Sequence, residues 1–426
     1  MVSRRLIMGV AVSAAMLAAC GGGGSDDDSG NAQIRLVNAS SAYSTLDLTV
    51  SDASAATGVA YGGVSAYASA KAGESITTLV KNAGSTISSL YPTLTKSSHY
   101  SVIAYGWSGN MKSTILQEEE EAPAENYSKL LVLNLAADAG TLDVYLTQNT
   151  DSLDNASPTI SAIAGGGSSG YTSISSGTYR VRVTGAGKKS DLRLDIPSIT
   201  LSSKQVGSLV ITPTPGGVLV NSILMTQQGS ANAYGASNAR ARVVAAVADG
   251  AQVNASLAGT PLLPTSISPN IGEYQIVAAG SPSLLVNVNG QALPVATPTL
   301  TAGNDYTVMV WGEPGAPQIS VISDDNRLPA TSGTAKFRII NGVARLNAGL
   351  TMTLDYSAIA SNVTPGTASA VATVNNSSSS LLNVTAPTSA TPVYSVSSLP
   401  VQSGGIYTVF MMGGANNIQG TLRRER

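Results

Sequence analysis

The stretch Tyr306-Thr307-Val308-Met309-Val310-Trp311-Gly312 is written into this chain more than once, and the interval between copies limits what the chain can fold into. Tyr407 to Gly413 and Tyr100 to Gly106 repeat it, and Gly207 to Pro213 is a worn copy with Gly for Tyr and Pro for Gly. An aliphatic residue stands six positions ahead of each copy, at Leu94, Leu201, Leu300 and Val401. The first residues fall at 100, 207, 306 and 407, a period near a hundred residues. That is too long for a solenoid repeat and fits one small domain. The 426 residues therefore read as four tandem β-domains.

The strand pattern sets the fold class. Leu46-Asp47-Leu48-Thr49-Val50 alternates as a strand with one wet face does. In the repeated stretch Tyr306, Val308 and Val310 share one face, Met309 and Trp311 the other, so this strand belongs in the middle of its sheet. Short alternating strands broken by Gly, Asn and Pro predict immunoglobulin-like β-sandwiches. The predicted units are residues 32–120, 126–229, 239–328 and 334–426. Glu118 to Glu121 reads as a solvated boundary rather than a calcium site, and Gln227 to Asn238 as a linker. Strict alternation around Tyr179 to Val183 and Leu192 to Ile196 predicts that Arg180, Arg182, Arg193 and Asp195 face water.

Charged residues make up only 11% of the chain, so Ser, Thr, Asn and Gly must cover much of the surface. A net charge of −2 gives no field for nucleic acid. One cysteine makes neither an internal disulfide nor a thiolate metal site, and no cofactor motif stands out.

That cysteine sits at a telling place. Arg4 and Arg5 precede an apolar run from Leu6 to Ala19, the length of a signal h-region and too short to span a bilayer. Leu17-Ala18-Ala19-Cys20 resembles the bacterial lipobox, which implies cleavage after residue 19 and lipid attachment at Cys20. Three chains on one residue would anchor stably. The absence of Asp at Gly21 favours the outer membrane by analogy, and Ser3-Arg4-Arg5 only partly resembles a twin-arginine signal. Residues 20–31, mostly Gly, Ser and Asp, are expected to be a hydrated tether from which the four units stand off as a stalk.

Arg35-Leu36-Val37-Asn38, Leu46-Asp47, Tyr61 to Tyr67 and Tyr100 to Gly106 together resemble the family called domain of unknown function 4397. Leu300 to Gly312, Arg338 to Asn341 and Tyr407 to Gly413 carry the resemblance later in the chain. It implies secreted or lipid-anchored bacterial β-domains and leaves activity open.

Catalytic chemistry has little to build on. His99 is the only histidine and opens a strand. Residues 165–170 match both a nucleophile elbow and a dinucleotide fingerprint in spelling, but a strand-like segment follows where a helix is needed, so a floppy loop is expected. Asp47, Asp143 and Asp355 recur one per unit and read as exposed strand acids; a carboxylate-dependent hydrolase of envelope glycans is the alternative. Arg35, Arg242 and Arg338 recur at one place on the outer face of the opening strand in three units, where an arginine stem covers sheet edge. Arg423 to Arg426 reads as a solvated terminus. Tyr61, Tyr67 and Tyr171 lie beside Gly and Ser, where an aromatic face would stack on a glycan or surface protein unless packed in the core. A non-enzymatic envelope lipoprotein with an adhesion, binding or spacer role is therefore expected.

Overall fold

The computed structural model describes residues 30–426; the lipobox, Cys20 and most of the tether lie outside the described residues. Unit one runs through eight strands: β1 (Asn31–Asn38), β2 (Thr45–Val50), β3 (Ala53–Ala60), β4 (Ala68–Lys71), β5 (Thr78–Asn82), β6 (Ser85–Leu90), β7 (His99–Trp107) and β8 (Asn110–Gln117). They form two sheets, β4-β1-β7-β8 and β3-β2-β5-β6. β1 runs parallel to β7, with Arg35 opposite Ser101; the other pairings are antiparallel. Units two, three and four repeat both strand orders. The architecture is the expected tandem β-sandwich. Its strand order is distinct from that of antibody domains, because β1 and β2 lie in opposite sheets, whereas the first two immunoglobulin strands share one.

Each sandwich has its own core. In unit one Leu46, Leu48 and Val50 point inward from β2 and meet Ile34, Leu36, Tyr100 and Val102 from the facing sheet. Tyr306, Val308 and Val310 do the same in unit three, and Tyr407, Val409 and Met411 in unit four. Fully burying one such side chain contributes roughly 1.5–3 kcal/mol.

The repeated residues hold these sandwiches shut in recognisable ways. The Tyr100 hydroxyl accepts from the Thr95 amide, Tyr306 from Thr301 and Tyr407 from Gln402, at 2.9–3.0 Å in every case. Unit two has Gly207 there, and the Gln205 side chain accepts from the Ser202 amide instead, at 2.7 Å. The Asn of the opening strand sits inside the sandwich: Asn38 donates to the Tyr43 and Val59 carbonyls, Asn134 to Gly140 and Ile163, Asn341 to Val363. Where unit three has Ala245, the Ser268 hydroxyl bonds the Ala245 or Val247 carbonyl. The closing Gly of the stretch has positive φ at Gly106, Gly312 and Gly413, and an added Cβ at Gly106 would lie 2.4 Å from the Asn110 carbonyl oxygen. Pro213 in unit two goes with a longer connection to its partner strand Val220–Thr226.

The units are paired face to face. The outer face of β1 and β7, carrying Val37, Ala39 and Ile103, packs on Leu135, Val210, Ile223 and Met225 of unit two. Val244, Ala246 and Met309 of unit three pack on Ile340, Phe410 and Met412 of unit four. The repeated strand is central, as its two apolar faces predict, and its second face is covered by the neighbouring sandwich. An added Cβ at Gly342 would lie 2.7 Å from Ala246, and one at Gly366 2.3 Å from the Trp311 ring. The stalk expected from the sequence is thus replaced by two compact pairs. Ala231–Tyr234, inside the expected linker, is a further strand of unit two's sheet.

Candidate functional site

The outer-face arginines are buried in these pair interfaces. Arg35 donates from Nε to Ser101 at 2.8 Å and from Nη2 to Glu118 at 2.8 Å, and its Nη1 reaches the Gly229 carbonyl beyond unit two's eighth strand. Arg242 donates to Thr307 at 2.9 Å and, through both terminal nitrogens, to Glu425 of unit four at 2.9 and 2.7 Å. Arg338 of unit four donates to Thr408 at 3.2 Å and forms a 2.7 Å ion pair with Asp324 of unit three. In units one, three and four an arginine thus meets a hydroxyl on the seventh strand and an acid just past or at the end of an eighth strand. Burial alone would raise the Asp324 pKa; the guanidiniums of Arg338 and Arg242 outweigh it and hold the group below the usual carboxylate range. Burial, then the Asp324 charge, push the Tyr274 hydroxyl well above its ordinary value, so it stays a neutral donor to Asp324 at 2.5 Å.

Several sequence expectations change here for one reason: long-range pairing buries groups that look solvated in the one-dimensional pattern. Glu118 is no boundary residue, being enclosed by Arg35, Ser101 and the Gln228 amide. The C-terminal residues are no free tail, because Glu425 holds Arg242 and Arg426 donates to the Gly217 carbonyl of unit two. Arg182 turns from water to Thr147 and the Asp151 carbonyl. Asp143 is buried, accepting from the Ala162 and Gly187 amides. Asp47 and Asp355 accept from the Gly58 and Leu381 amides, so each of the three acids secures a turn or strand of its own unit. Ser168–Ser175 is a strand paired with Tyr127–Asn134, so the glycine-rich segment is ordered and precedes no helix.

His99 opens β7, bonds Glu119 and meets the Tyr67 ring edge-on at 5.1 Å. Tyr67 also lies under the Arg35 guanidinium at 4.8 Å. Tyr61, Tyr67 and Tyr171 are all half-buried. Among the described residues there is no cluster of three or more metal-ligating side chains.

The open chemistry lies elsewhere, where units one and two meet the connection between units three and four. A cleft of about 140 Å³ is lined by Tyr105 and Trp107 from β7, Asn110 and Lys112 from β8, Asp138 from the short turn Ala137–Ala139, and Leu328. Tyr105 and Trp107 continue the outer face on which Ile103 packs. A hollow of about 80 Å³ adjoins it, sharing Trp107, whose ring lies 5.0 Å from the Arg327 guanidinium. Asp138 is buried and accepts from the Leu328 amide at 2.7 Å through Oδ1. Its burial pushes its carboxyl pKa up. Sequence reading passed over these groups. The signal was the Gly106-Trp107 step: a large aromatic on the outer face, just past the end of the core.

The sequence profile of a family described as "Domain of unknown function (DUF4397)" matches residues 32–145 and 239–348, just over half of the chain. No curated protein matches the sequence. A solved structure titled "The Bacillus anthracis TIE protein" is similar at 11% identity, over 70% of this chain and 53% of that one, with a TM-score of 0.14. This chain therefore spans about half of that protein, and at such a TM-score the likeness bears on neither fold nor function.

Proposed function

This chain belongs to the DUF4397 family, and from that premise we propose that it is a non-enzymatic lipoprotein of the bacterial cell envelope, held at the outer membrane through Cys20, whose paired sandwiches present a binding face. The partner is a glycan or another surface protein. The observation that carries the binding role is the cleft at Trp107, formed only where three parts of the molecule meet and lined by aromatic and polar groups. The carboxylates a hydrolase would use do not converge: Asp47, Asp143 and Asp355 each hold backbone amides of their own unit. Glycoside hydrolysis needs two carboxyl groups within about 5–10 Å across one bond, and only Asp138 lines this cleft.

Anchoring is tested by metabolic labelling with palmitate in a bacterial host. The wild-type chain should take up label and partition with membranes, and Cys20→Ala should lose both. Equal labelling of the two would remove the anchor from this reading.

A further inference from the structure

We propose that the cleft around Trp107 is a carbohydrate subsite that takes one neutral pyranose ring. The inference rests on the binding role above and adds the class of ligand. A pyranose has a face of C–H groups and an edge of hydroxyls, so its site needs an aromatic surface beside groups that both donate and accept hydrogen bonds. Trp107 and Tyr105 supply the surface. Asn110 both donates and accepts, Lys112 donates, and Asp138 accepts.

These polar groups are available. Lys112 is exposed and makes no ion pair or hydrogen bond among the described residues. Asp138 uses Oδ1 on the Leu328 amide, and its Oδ2 has no protein donor among the described residues. A site of about 140 Å³ has room for a single ring; drug-sized ligands occupy pockets of roughly 300 Å³ or more. Charge narrows the class. The Lys112 ammonium and the Arg327 guanidinium stand against a cationic ligand such as choline, although the aromatic rings would suit one. The buried Asp138 carboxylate stands against an acidic sugar.

The chain has two tryptophans, so in a full-length Trp311→Phe variant Trp107 is the only indole that reports. The variant is titrated with methyl glucopyranoside and methyl galactopyranoside in a detergent without sugar headgroups, with choline and a proline dipeptide as competing probes. The expected result is a saturable change in Trp107 emission with one or both glycosides at millimolar concentration. Saturation transfer from protein to sugar protons in the unmodified chain checks it independently of Trp311. Lys112→Ala and Asp138→Asn should each weaken binding by about fivefold or more, the worth of one net hydrogen bond of about 1 kcal/mol. Both should keep the wild-type circular dichroism spectrum, which separates lost binding from lost fold. The subsite is overturned if neither glycoside saturates by either method, if both folded variants bind as the wild type does, or if only choline or the dipeptide responds. Palmitate labelling is unaffected by any of these outcomes, so the anchor and the subsite fail separately.

Discussion

The two sandwich pairs solve one interface problem differently. Between units three and four the ionic bonds are exchanged: Arg242 of unit three takes Glu425 of unit four, and Arg338 of unit four takes Asp324 of unit three. The pair behaves like a symmetric dimer fused into one chain, in which residue i meets j and j meets i. Between units one and two the exchange is absent. Arg35 keeps its own Glu118; in unit two Arg35 reaches only the Gly229 carbonyl and Glu118 accepts from the Gln228 amide, because unit two has Leu131, opposite Ser208, where the others have arginine. Both pairs nonetheless close on the same apolar positions. Val37 and Ile103 in unit one correspond to Leu133 and Val210 in unit two, and to Val244 and Met309 in unit three. The apolar face makes the pair, and the reciprocal charges are an addition to it.

This comparison breaks most visibly at the buried ions. Glu425→Ala removes the carboxylate that both terminal nitrogens of the enclosed Arg242 guanidinium bond, and should cost about 3–5 kcal/mol in chemical denaturation. Replacing both partners, Arg242→Met with Glu425→Leu, should recover most of that loss; if it recovers none, the charges and not the apolar face hold the pair. Acid should act on the same pair. The Asp324 pKa lies below its unfolded value, so its contribution is present above about pH 4 and is lost as pH falls through the lower, folded value.

A smaller effect is expected where the faces approach most closely. Gly366→Ala places a methyl group against the Trp311 ring at a position with φ +81°, and should destabilise by about 1–3 kcal/mol. An unchanged melting temperature would mean that units three and four do not sit at this distance. The smallest effect compares the repeats themselves. Tyr306→Phe and Gln205→Ala each remove the acceptor for one backbone amide and should cost about 1 kcal/mol apiece. A negligible cost at Gln205 alone would show that unit two had lost the bond as well as the tyrosine.

The periodicity of the Tyr306 stretch made the sandwiches legible, because a two-faced apolar strand repeated at domain spacing admits few folds. The same residues concealed the pairing: Met309 and Trp311 read as the second face of a central strand, and nothing local says that another unit covers it. The acids were hidden more deeply. Glu118 lay in an acidic run and Glu425 in a basic tail, contexts that suggest water. One signal was present, since Glu118, Asp324 and Glu425 each stand eighteen residues after the tyrosine of their unit. The hairpin register carries that spacing to one place in each unit, opposite the residue that precedes the tyrosine. The candidate cleft was the least legible, because its walls come from three parts of the chain that only tertiary folding brings together.

Gln205 standing in for a tyrosine has a consequence for inventories of such domains. A repeat can discard its hallmark letter and keep the bond that letter made, so spelling decays faster than architecture. Family recognition here spans units one and three and only the opening strands of two and four, although all four share one strand order. A genome survey that tallied this module by its letters would register about half the copies that the chain contains.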